Sequence, residues 1–134
     1  MLTEEAYVLV IEDNADNLMV ITDLLRMAGV HYINARASGQ QGLKVAERMP
    51  RLDLILLDIQ LPYEDGYEVL RQIRANPRLS NTRVVAVTAN VLPQDERRAR
   101  AAGFDGFIGK PLDPIRFPEQ IAALLQGEPV WRAC

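Results

Sequence analysis

Apolar runs of strand length alternate with stretches of helical period five times along the chain. The runs "AYVLVI" (6–11), "HYINA" (31–35), "LILL" (54–57), "VVAVT" (84–88) and "GFIG" (106–109) predict strands. The first, third and fourth are apolar at nearly every position and rich in Val, Leu and Ile, the pattern of a strand covered on both faces by helices. Helices are expected between them. Over 15–28, Leu18, Ile21, Leu25 and Ala28 fall on one face, and Gly29 follows where a left-handed cap would sit. The helix over 39–49 ends before Pro50, and that over 67–75 stops at Asn76-Pro77 because the residue before proline avoids helical geometry. A fourth, over 94–102, ends at Gly103. The last opens with Asp113 as N-cap and Pro114 at the first helical position, and Ile115, Ile121, Leu124 and Leu125 supply its buried side. Such alternation calls for an α/β fold: a single doubly wound, five-stranded parallel sheet with five helices and right-handed crossovers. Residues 127–134, "GEPVWRAC", read as a tail on a domain of residues 1–126, with Trp131 either folded back on the body or opening a further connection.

Composition narrows the function. A length of 134 residues with 49% apolar and 25% charged residues is that of one ordinary globular domain. No apolar run approaches the ~20 residues of a membrane span, and "MLTEEAYVLV" lacks the basic flank and cleavage site of a secretory signal. The net charge of −3 argues against a nucleic-acid surface. Cys134 is the sole cysteine, so neither an internal disulfide framework nor a cysteine-built metal site is expected, and the setting expected is reducing and cytoplasmic.

In an open parallel sheet, ligands bind beyond the carboxyl ends of the strands. The first strand ends in Glu12-Asp13, the third in Asp58 and the fourth in Thr88-Ala89, while the fifth is followed by Lys110-Pro111. Three carboxylates, a hydroxyl and an ammonium therefore converge on one rim. Crowded acids repel one another, and a divalent cation relieves them; oxygen ligands with room for water suit Mg²⁺. One carboxylate could then attack a phosphoryl group while a lysine and a hydroxyl stabilise its oxygens.

The pieces "VIEDN" (10–14), "ILLDIQLPYEDG" (55–66), "VVAVTA" (84–89) and "GFIGKP" (106–111), in this order, resemble the receiver domains of two-component response regulators over about residues 5–126. Stand-alone receivers and those of hybrid histidine kinases are the nearest in kind. The resemblance implies a flavodoxin-like strand order 2-1-3-4-5 and a phosphorylation-controlled switch with no turnover of a free substrate. Asp58 would accept a phosphoryl group from a phosphohistidine on a histidine kinase or histidine phosphotransfer protein. Glu12, Asp13, Asp58 and the backbone carbonyl of Gln60 would hold Mg²⁺, or another divalent cation such as Mn²⁺. Thr88 and Lys110 would contact the phosphoryl oxygens, small Ala89 would keep the pocket open, and a cis peptide would precede Pro111. Phe107 stands at the position of the family's switch aromatic, and Pro62 and Gly66 shape the loop after Asp58. A downstream protein would dock on the face of residues 91–126; homodimerisation is compatible with this, and neither nucleic acid nor membrane is an expected partner.

The chain departs from the family pattern at few positions. Phe107 lacks the hydroxyl of a tyrosine, Glu12 is one methylene longer than an aspartate, and the Gln60 side chain overhangs the site, where it is expected to affect hydrolysis. Simpler roles compete for several residues. Asp58 alone could cap a helix, Thr88 could be ordinary strand chemistry, Phe107 a packing residue and His31 a strand residue. Asn14 is expected to cap, and Asp16 to be a first-turn acid. Arg97, Arg98 and Arg100 form either a solvated helix face or part of a docking surface. Lys110 is one of two lysines against thirteen arginines, a compact charge where a point contact is needed. Two alternatives from other classes are a phosphorylation-independent interaction module of the same fold and a phosphohydrolase of the haloacid-dehalogenase type. The latter has a second Asp two residues after its nucleophile, where this chain has Gln60.

Overall fold

The computed structural model describes residues 1–131; the last three residues of the expected tail, Cys134 included, lie outside the described residues. After a short 3₁₀ turn the elements are β1 (Tyr7–Ile11), α1 (Ala15–Met27), β2 (Tyr32–Arg36), α2 (Gly39–Arg48), β3 (Leu54–Asp58), α3 (Gly66–Ala75), β4 (Arg83–Thr88), α4 (Pro93–Ala102), β5 (Gly106–Gly109) and α5 (Phe117–Leu125). All pairings are parallel and the order is β2-β1-β3-β4-β5, the expected flavodoxin-like arrangement.

The apolar runs divide by parity, because successive strand residues face opposite sides of the sheet. Val8, Val10, Leu54, Leu56, Val85 and Val87 pack against Ile21 and Leu25 of α1 and Ile121 and Leu124 of α5. Leu9, Ile11, Ile55, Leu57, Val84 and Ala86 pack on the other side with Ala46, Val69, Ile73 and Ala99 from α2, α3 and α4. Each fully buried Leu or Ile contributes about 1.5–3 kcal/mol of transfer free energy, so β1, β3 and β4 are apolar at consecutive positions for a physical reason. β2, on the edge, is only half-buried and correspondingly polar.

Local signals hold the helix ends. The Asn14 side chain accepts from the Asn17 N–H at 2.9 Å, Ser38 caps α2 and Asp65 caps α3. Gly29 adopts the left-handed conformation expected of it, with φ 101°.

Two expectations need correction. The last helix starts at Phe117, three residues after Pro114. Asp113 does cap a turn, its carboxylate accepting from the Ile115 N–H at 2.9 Å. Pro118, however, has no N–H to donate to the Pro114 carbonyl, so the helical ladder cannot run through the segment and restarts with Pro118 in its first turn. Ile115 is consequently 83% exposed, and Phe117 takes the buried position instead. His31 lies just before β2 and is exposed, since the strand begins one residue later than expected.

The chain after α5 reverses at Gly127 (φ 90°) and returns along β5, where the Phe107 N–H donates to the Val130 carbonyl at 2.7 Å. Trp131 thus folds back on the body, half-buried, with the Arg100 guanidinium 4.4 Å from its ring centre.

A Cβ on Gly66 would lie 2.5 Å from the Ile59 Cα, a backbone clash at the start of α3. Gly66→Ala is expected to cost about 1–3 kcal/mol, read as a lower urea midpoint with an unchanged slope.

Candidate functional site

Strand register sets the site level. Ile11 pairs with Leu57, Asp58 with Val87 and Thr88 with Gly109. Glu12 therefore emerges beside Asp58, and Lys110 one residue beyond Thr88. Glu12 is 1% exposed, Asp58 5% and Thr88 not at all, whereas Asp13 faces solvent.

The side chains meet there. The Lys110 ammonium donates to Glu12 Oε1 and, at 3.2 Å, to Asp58 Oδ2. The other oxygen of Asp58 accepts from the Gln60 N–H at 2.8 Å, and Glu12 Oε2 accepts from the Asn14 N–H at 3.1 Å. The Thr88 hydroxyl donates to Gln60 Oε1 at 3.1 Å and accepts from the Asn90 N–H at 3.0 Å. Glu12, Asp13 and Asp58 each present a carboxylate oxygen within 4.8 Å of the others. Lys110–Pro111 is a cis peptide bond.

Three carboxylates face one ammonium, so the site carries excess negative charge in a largely water-poor setting. Burial pushes the pKa of Glu12 above the usual carboxylate range, with the Asp58 charge adding to it, against the opposing hydrogen bonds from Lys110 and the Asn14 N–H. Burial works against the charge on Lys110, but its bond to Glu12 and the Asp58 charge outweigh this and hold its pKa above the usual lysine value. Hard oxygens, excess negative charge and one solvent-facing ligand fit a divalent cation that keeps part of its water.

Of the residues singled out from sequence, the structure gathers Glu12, Asp13, Asp58, Gln60, Thr88 and Lys110 on one rim. Phe107 is not among them. It lies 1% exposed in the core beneath α4, with Ala99 and Phe104. Arg97, Arg98 and Arg100 are exposed on α4, and Arg98 stacks 4.0 Å from the Tyr67 ring centre.

Glu64 escaped the sequence reading. Its carboxylate accepts from the Gly39 N–H at 2.7 Å and the Gln40 N–H at 3.0 Å, tying the loop after Asp58 to the start of α2. An acid at a helix N-terminus is a recognisable signal, but this one lies 25 residues from the helix it serves, beyond any local spacing rule.

Comparison with known proteins agrees with this geometry. The family model for the response regulator receiver domain matches residues 8–122. The polar-differentiation response regulator DivK of Brucella anthropi is 39% identical over 118 residues, covering 88% of this chain and 94% of the relative. Among solved structures, the receiver domain of the sensor histidine kinase PA1611 from Pseudomonas aeruginosa, with magnesium coordinated in its active-site cleft, is 34% identical with a TM-score of 0.76, covering 91% of this chain and 95% of that one. A response regulator receiver protein from Burkholderia phymatum is 29% identical with a TM-score of 0.77, covering 90% and 95%.

Removing the ammonium leaves two buried acids facing each other. Lys110→Ala is expected to lower stability in metal-free buffer at pH 7 by about 2–4 kcal/mol. The deficit should narrow as the pH falls: losing Lys110 removes the hydrogen bond that holds the Glu12 pKa down against burial, so in the variant Glu12 takes up its proton in the fold more readily than in wild type, and protonation relieves the variant more. Urea titrations of both proteins at pH 7 and pH 5 measure it.

Proposed function

The chain belongs to the response regulator receiver family, and on that premise we propose that Asp58 is its phosphoacceptor. Receiver domains of two-component systems are signalling switches that interact with histidine kinases and downstream partners. What carries the proposal for this chain is the setting of Asp58: one oxygen on the Lys110 ammonium, the other on a backbone N–H, and two further acids alongside.

An oxygen of Asp58 attacks the phosphorus of a phosphohistidine on a histidine kinase or phosphotransfer protein, and the P–N bond breaks as the O–P bond forms. Lys110, already on Oδ2, follows the charge onto the phosphoryl oxygens. The Thr88 hydroxyl leaves Gln60 and donates to one of those oxygens. Glu12, Asp13, Asp58 and the Gln60 carbonyl would hold Mg²⁺ or Mn²⁺, which when bound neutralises charge on the phosphoryl group. Attack of water on the acyl phosphate releases inorganic phosphate and restores Asp58. Because Gln60 and Thr88 share a hydrogen bond in the unmodified protein, the switch reorganises both together. Phe107 serves as a packing residue in the unmodified state and responds to Thr88 from within the core.

Residues 1–126 form the receiver and 127–134 an appended segment. The face of residues 91–126 reads the modification out to a protein partner, and pairing of two receivers through it is compatible with this role. No helix among the described residues is long and apolar enough to cross a membrane, and the cytoplasm is where this chain would meet a histidine kinase or phosphotransfer protein.

Intact-mass analysis with acetyl phosphate and Mg²⁺ tests the proposal. Wild type should gain one phosphate-sized increment, and Asp58→Asn, Asp13→Ala or an excess of chelator should reduce it to little or none. A folded wild type that gains no mass would instead be an interaction module. Steady release of phosphate from a phosphate monoester would revive the phosphohydrolase.

A further inference from the structure

At the outer edge of β5 the chain's own C-terminal segment lies against the sheet. β5 ends the sheet, so its outward N–H and C=O groups would stand open as a template for another strand. One of them, the Phe107 N–H, is instead met by the chain's own returning residues 127–131. Gly127 is left-handed at φ 90°, and the guanidinium of Arg83 lies 2.9 Å from where its Cβ would be. The turn is thus specific to glycine, and it sends the chain back parallel to β5. Val130 then pairs with Gly106 in a parallel bridge, its carbonyl accepting from the Phe107 N–H at 2.7 Å. A Cβ on Gly106 would approach that carbonyl to 3.0 Å and Leu124 to 3.2 Å, so the close seat is also made by the absence of a side chain. Trp131 packs on the core cluster that holds Phe107 and lies under the Arg100 guanidinium, 4.4 Å from it. A cavity of about 210 Å³ remains between the segment and the body, lined by Phe107, Arg116, Gln120 and Trp131 among others.

We propose that residues 127–131 are a resident strand on the β5 edge, occupying the surface where an extended segment of a partner with an aromatic anchor would add, and that phosphorylation of Asp58 releases them. The edge then becomes a site for strand addition, in which main-chain bonds give affinity and the vacated Trp131 seat gives specificity. This rests on Asp58 being the phosphoacceptor. The coupling runs through the backbone. The Thr88 carbonyl accepts from the Lys110 N–H at 2.8 Å, and Thr88 is level with Gly109, so a shift of Thr88 toward a phosphoryl oxygen draws on β5. Phe107 sits in the same short strand, with its N–H on Val130 and its ring in the cluster beneath Trp131. Movement of this residue strains both attachments of the segment at once.

Trp131 is the only tryptophan, so intrinsic fluorescence reports the segment directly. The experiment treats the full chain with acetyl phosphate and Mg²⁺ and follows Trp131 emission, acrylamide quenching and intact mass on the same samples. Wild type should gain mass, shift its emission to the red and show a quenching constant raised about twofold as the released state becomes the major one. Asp58→Asn should do none of these. Gly127→Ala, which strains the left-handed turn without touching the site, should show raised quenching before any donor is added and still gain mass. Mass gain in wild type with unchanged emission and quenching would overturn the proposal while leaving the phosphoacceptor in place. Absence of any mass gain would refute the phosphoacceptor and the release with it, and unchanged quenching in Gly127→Ala would refute the resident strand itself.

Discussion

The Lys110 ammonium lies between the carboxylates of Glu12 and Asp58, and the arrangement of the whole rim follows from that bridge. Two buried acids at the ends of neighbouring strands would drive each other apart or take up a proton. A single cation inserted from a third strand lets them stay close while remaining available to charged ligands. The remaining lone pairs are met by backbone donors, Gln60 for Asp58 and Asn14 for Glu12, so neither acid is left unsatisfied. What remains uncompensated is the charge, to which the solvent-facing Asp13 adds, and a further cation joining the cluster would offset it.

That bridge depends on the sheet. Parallel register brings Glu12, Asp58, Thr88 and Lys110 to nearly one height, and burial of both sheet faces keeps the strands from slipping. Loops then add precision. Glu64 fastens the segment after Asp58 to the start of α2, and the Gln60 side chain fastens it to Thr88. Asp58, the Thr88 hydroxyl and Lys110 are therefore linked through main-chain and side-chain bonds rather than merely adjacent. β5 carries that linkage to the outer edge of the molecule, where residues 127–131 lie.

The strands were legible because the fold is simple at that level. Val, Leu and Ile at consecutive positions of β1, β3 and β4 have no other comfortable place than between two helical layers. Helix ends at Asn14, Gly29, Asn76 and Gly103 were legible for the same local reason, since caps and prolines act within a few residues. The start of α5 was misjudged because two prolines compete: Pro114 looks like a first helical residue, but Pro118 decides the matter by removing a donor, and with it Ile115 left the core. Glu64 and the bridge between Val130 and Gly106 were invisible to local rules, as each joins segments far apart in sequence.

By itself, then, the sequence determined the period of each element and which polar residues would terminate the strands, because those are properties of a few neighbouring positions. From them the convergence of three acids, a threonine and a lysine on one rim could be inferred. Only the tertiary structure decided the partners: Lys110 bonding acids 98 and 52 residues away, Thr88 held by Gln60, Phe107 buried beneath α4, and Trp131 returned to the body. Hydrogen bonds and ring contacts are short-range and directional, so which of several eligible side chains meet is set by the packing of helices and loops around the sheet.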